Sequence, residues 1–128
     1  MRRTDLLIVI ALAASVPAAA HHAPAIFDQT KTITVDGTVT QFVWANPHSW
    51  IHMDVVADNG EVQDWVIEMN PPTYLIKEGW KSTTLKAGDH ISVVANPLRT
   101  GEPSSGKFIA VTLPDGRVLG EAEAILGE

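Results

Sequence analysis

Two adjacent histidines, His21 and His22, directly follow Ala18-Ala19-Ala20, and this junction concentrates the chemistry the chain can offer. If a peptidase cuts after Ala20, His21 becomes the amino terminus. Its free amine and its own imidazole Nδ1 can then chelate one metal ion as a single residue. Imidazole donors suit copper and zinc, and one further nitrogen completes a T-shaped copper site. The other histidines are His48, His52 and His90. His48 and His52 share the segment Asn46-Pro47-His48-Ser49-Trp50-Ile51-His52. On a straight strand they stand ~13 Å apart, too far to grip one ion through bonds of about 2 Å. His48, fixed behind Pro47 at a strand entrance, is therefore the favoured third ligand, and His22 is an alternative. Both features also have plain structural readings. His21 and His22 fit a polar free terminus, and a lone His48 fits a residue that hydrogen-bonds a neighbouring carbonyl and holds the Asn-Pro turn.

Whether His21 is ever a terminus depends on the residues before it. Arg2 and Arg3 form a positive start, Leu6 to Val16 an apolar run, and Pro17 precedes the small-residue site, which is the pattern of a cleaved secretion signal. The 11-residue run is short of the roughly 20 that a membrane-spanning helix needs. Thr4 and Asp5 after the arginine pair favour general secretion over the twin-arginine route. Cleavage after Ala18 is a second possibility and puts Ala19 first. The expected product is a periplasmic or secreted protein of 108 residues out of 128, long enough for one domain. Losing Arg2, Arg3 and Asp5 leaves 7 basic against 14 acidic residues, a net charge of −7 with His neutral. That balance repels phosphate backbones and argues against nucleic acid as a partner. With no cysteine, the chain has no disulfide, thiolate ligand or thiol nucleophile.

The remaining reactive side chains are less specific. Met53 and Met69 carry thioethers that suit Cu(I), yet methionines in strands are usually core filling. Asp28, Asp54, Asp64 and Glu68 lack a spacing that marks acid/base catalysis. No Gly-x-Ser-x-Gly elbow or phosphate-binding glycine loop occurs, so no catalytic set is assigned and no enzyme is expected. Trp44 and Trp50 flank the turn at Asn46, and these three residues could also line a ligand groove beside His48.

The elements that must position these groups read as an all-β domain. Residues 21–31 lack periodicity and form an arm, which Ile26 and Phe27 are expected to dock against the body. Strands are expected over residues 32–44, with a bend or bulge at Asp36-Gly37, and over 49–56, 62–69, 90–95 and 107–113. Strands two and three form a hairpin around Asp58-Asn59-Gly60. A short helix spans 73–78 and ends at Gly79, and Val118 and Leu119 pair back briefly. Side-chain alternation puts His48, Trp50, His52 and Asp54 on one face and Ser49, Ile51, Met53 and Val55 on the other. Three strands, a helix and two more strands is the order of a small Greek-key barrel of the oligonucleotide/oligosaccharide-binding (OB) type, with a five- or six-stranded sandwich as its competitor. The barrel covers residues 32–119 and a tail follows over 120–128.

Taken together, the His21-His22 start with Phe27-Asp28, the Trp44-Ala45-Asn46-Pro47-His48-Ser49-Trp50 segment, Gly79-Trp80 before Leu85-Lys86-Ala87-Gly88-Asp89, and Thr112-Leu113-Pro114-Asp115-Gly116-Arg117 resemble a family of small exported bacterial proteins known only as a domain of unknown function. The resemblance implies export and a compact β domain, and it is strongest around His21, His22 and His48. The arrangement at His21 also resembles, in chemistry only, the histidine brace of copper monooxygenases and of some periplasmic copper carriers. The expected function is therefore that of a periplasmic binding protein for a transition-metal ion, copper before zinc. The competing expectation is a metal-free module that binds a small ligand or a periplasmic protein.

Overall fold

The computed structural model describes residues 25–126. The expected signal segment and cleavage point, with His21 and His22, lie outside the described residues. Strands β1 (Ile33–Val43), β2 (Trp50–Val56) and β3 (Val62–Glu68) are followed by a one-turn helix α1 (Pro72–Leu75) and a 3-10 turn (Ile76–Glu78). Strands β4 (His90–Pro97), β5 (Ser105–Thr112) and β6 (Val118–Gly120) complete the sheet, and a short helix α2 (Glu123–Leu126) follows.

The strands form one sheet in the order β3-β2-β1-β4-β5-β6, and a parallel pairing of β3 with β5 closes the first five into a barrel. The fold is thus the expected OB-type barrel, with one extra strand. Closure rests on three residue pairs, Val66 with Ser105, Ile67 with Gly106 and Glu68 with Lys107. Beyond them the other half of β5 pairs with β6. All other neighbours are antiparallel.

Alternation along the strands builds the core. Ile51, Met53, Ile67, Val93 and Val111 point inward and are fully buried, whereas Trp50, His52 and Asp54 face outward, as their spacing requires. Leu75 and Trp80, from the connection between β3 and β4, join the core. Trp80 meets the rings of Phe42 and Phe108 at centroid distances of 5.8 and 5.4 Å. Met53 and Met69 are core residues with 0% and 2% exposure, which removes both thioethers from consideration as ligands open to solvent.

β1 belongs to two pairings at once. Its first half lies beside β4 and its second half beside β2, with Thr38 paired to both His90 and Asp54. A strand shared in this way must coil sharply, and Gly37 sits at the crossing. A Cβ there would lie 2.5 Å from the Asp54 carbonyl oxygen and 2.6 Å from Met53 Cε. The ladder irregularity expected at Asp36-Gly37 falls instead between Val39 and Gln41; Gly37 serves close approach of two strands, which sequence spacing alone does not distinguish from a bulge. The helix is also shorter than expected, since its second half tightens into the 3-10 turn before Gly79, whose φ of 91° ends it.

Candidate functional site

The loop from Trp44 to Ser49 joins β1 to β2 and contains a cis Asn46-Pro47 peptide. Ser49 anchors it. Its side chain is fully buried, its hydroxyl lies 3.4 Å from both the Ala45 amide and the Ala45 carbonyl, and its own carbonyl accepts the Met69 amide at 2.9 Å. The loop is thereby stitched to the end of β3, and His48 is brought over that end.

His48 Nδ1 lies 3.2 Å from the Met69 carbonyl oxygen and 3.4 Å from Glu68 Oε1. Both neighbours are acceptors, so the tautomer assigned from them carries its proton on Nδ1 and leaves the Nε2 lone pair free in the neutral ring. The ring stands edge-on to Trp50 at a centroid distance of 6.0 Å, and the His48 side chain keeps 43% of its surface exposed. The turn-holding role weighed from sequence is therefore present, and the same contact aims the second nitrogen for use elsewhere.

The arm arrives at this point from the other side. The Asp28 amide donates to the Pro97 carbonyl at 2.8 Å, the Arg99 amide to the Ile26 carbonyl at 2.8 Å, and Arg99 Nε to the Ala25 carbonyl at 2.6 Å. Phe27 makes an antiparallel bridge to Leu98 and is buried. Phe27 docks as expected, but Ile26 is 60% exposed, because the bridge turns alternate side chains outward. A groove of about 470 Å³ runs between arm and barrel, lined by Ala25, Ile26, Phe27, His48, Glu68 and Lys107 among others. Ala25, the first described residue, thus opens onto His48. His21 precedes it by four positions, a reach of at most ~14 Å.

The foot of the arm is held by charge. Asp28 Oδ1 accepts from Thr30 Oγ1 at 2.6 Å and from the Thr30 amide at 3.0 Å, and Lys31 Nζ lies 3.6 Å from Oδ2. The two Thr30 hydrogen bonds, with lesser help from Lys31, hold the Asp28 carboxyl below its ordinary value of 3.8. A carboxyl lowered on folding contributes fully above its unfolded value and loses that contribution as pH falls through the lower folded value. The Thr30 amide resonance is therefore expected to titrate with a midpoint below 3.8. A midpoint at or above that value in an NMR titration would contradict the Asp28 anchor.

The other residues singled out from sequence are placed apart. His52 lies on the outward face of β2, opposite Val66 of β3, and His90 is exposed at the start of β4. Among the described residues no group of three His, Asp or Glu side chains could hold a metal. Trp44 leans on Phe42 at 5.8 Å, Asn46 is exposed in the turn, and Trp50 pairs with Glu68 across β2 and β3. None of these three lines the groove beside His48. Glu68, to which the sequence gives no role, and Lys107, which it does not single out, do line it. For Glu68 a signal existed: a hairpin turning at Asp58-Asn59-Gly60 pairs Val56 with Val62 and, six residues on, Trp50 with Glu68.

Strand order and site together define a small OB-type barrel whose first loop presents a histidine to a groove shared with an N-terminal arm. Residues 9–107 match a family of unknown function, DUF6152, and the chain belongs to that family. No curated protein matches it. Among solved structures, it is similar to the mitochondrial single-stranded DNA-binding protein Rim1 of S. cerevisiae, with 12% identity and a TM-score of 0.48 over 65% of this chain and 92% of that one. A selenomethionine-labelled structure of the same protein matches at 14% identity and a TM-score of 0.43, again over 65% of this chain and 92% of that one.

Proposed function

We propose that the chain is an exported, periplasmic binding protein that holds one transition-metal ion, copper before zinc. His21 supplies its amine and Nδ1, and His48 supplies Nε2; His22 is the alternative ligand. One observation carries the reading: the arm is tied down so that Ala25 faces the groove containing His48, which leaves His21 a four-residue tether. Support also comes from the Nδ1 contact with the Met69 carbonyl, because a metal-bound imidazole ordinarily donates its other N–H to a carbonyl or carboxylate. The role is sequestration or handover of the ion, a binding rather than an enzymatic function.

The test is a Cu(II) titration of protein secreted with its own signal, its terminus verified by mass. One tight site per chain is expected, with a three-nitrogen signature in electron paramagnetic resonance. His48→Ala is expected to weaken binding by roughly tenfold or more while circular dichroism still shows the β domain. Undiminished affinity in that variant removes His48 from the ligand set. Failure of the native protein to take up copper or zinc leaves the metal-free interaction module as the surviving reading.

A further inference from the structure

We infer that Glu68 is the positioning carboxylate of the His48 site, an anionic group that strengthens His48 as a ligand without touching the ion. The inference rests on the metal-binding reading above and adds a residue to it. Nδ1 makes its shorter contact, 3.2 Å, with the Met69 carbonyl oxygen, while Glu68 Oε1 stands 3.4 Å away. Glu68 therefore acts mainly by charge. An imidazole bound to a cation through Nε2 gains positive character at Nδ1–H, and a carboxylate beside that hydrogen stabilises the bound state more than the free one.

The placement is not accidental to the fold. Glu68 is the last residue of β3, opposite Trp50, and it keeps its carboxylate at 20% side-chain exposure. At that exposure the charge is screened less than a fully solvated one. Lys107, its partner in the parallel closure, lines the same groove and brings a charge of opposite sign. The two residues should thus influence a cation at His48 in opposite directions. A purely structural role for Glu68 has no reason to produce that opposition.

The experiment uses Cu(II) alone as probe on the mature protein and on Glu68→Gln, Glu68→Leu and Lys107→Gln. Glu68→Gln keeps the side-chain shape and is expected to raise the Cu(II) Kd by about tenfold, with Glu68→Leu at least as weak. Lys107→Gln is expected to lower the Kd by a smaller factor. The nitrogen pattern in electron paramagnetic resonance should be unchanged in all three, as should the thermal midpoint of the metal-free proteins. Equal affinity of Glu68→Gln and native protein overturns the inference while leaving the metal site standing. A changed copper coordination spectrum in Glu68→Gln overturns it too, by making the carboxylate a ligand. A native protein that takes up no copper brings down both. If Glu68→Leu does not fold, the isosteric Gln variant decides alone.

Discussion

Acetylation of the His21 α-amine is expected to weaken Cu(II) binding by about a hundredfold or more. In the proposed site the amine and the Nδ1 of one residue close on the same ion, so the second bond forms intramolecularly at high effective concentration. Linked contacts of that kind exceed separate ones by roughly 10²–10⁴. Acetylation turns the His21 amine into an amide nitrogen without its basic lone pair and supplies no new amine in its place. The imidazole survives, but the chelate does not. The acetyl group sits ahead of His21 and leaves the arm contacts with Pro97, Leu98 and Arg99 untouched. Thermal unfolding of the metal-free protein should therefore coincide for both forms, and isothermal titration should separate them. Equal copper affinities would falsify the terminal chelate, whatever becomes of His48.

The second large effect concerns the barrel itself. Gly37→Ala is expected to cost about 1–3 kcal/mol, the range for overpacked interiors, which corresponds to a fall in thermal midpoint of roughly 4–20 °C for a domain of this size. The added methyl would meet the Asp54 carbonyl oxygen at 2.5 Å and Val55 Cγ2 at 3.0 Å. Met53 Cε, at 2.6 Å, is the flexible end of a side chain, but it is fully buried and has little room to swing away. The Asp54 carbonyl is backbone, so relief must come from parting β1 and β2 where β1 passes from one neighbour to the other. A calorimetric midpoint within a degree or two of the native one would show that the crossing gives way easily.

Much of this architecture was readable from residue order because the strands announce themselves. Thr and Val in β1, the alternation of Ile51 and Met53 with His52 and Asp54 in β2 and the Asp58-Asn59-Gly60 turn each act locally, and local rules describe them well. The outward placement of Trp50, His52 and Asp54 follows from the same two-residue period. What escaped depended on contacts distant in sequence. The Met69 carbonyl under His48 and Lys107 in the groove are set by the loop crossing onto β3 and by barrel closure, for which no short pattern exists. Ile26 departs from its expected inward packing because the bridge at Phe27 makes its neighbour face out, and that bridge is a contact with residues far along the chain. Glu68 lies within reach of hairpin counting, which pairs it with Trp50, but its closeness to His48 depends on the loop crossing onto β3.

The ring of strands has one joint unlike the rest. Between β3 and β5 only three residue pairs meet, and they bring together positions about forty apart in the chain. Linking such distant points demands a large loss of chain entropy before any contact rewards it. The hairpin of β2 and β3 and that of β4 and β5 can each form early from near neighbours, so this joint is the late step in assembly. It is also where the cylinder can unlatch while both hairpins stay whole, and because Glu68 and Lys107 are themselves one of the three pairs, unlatching would part the two charges that face the groove.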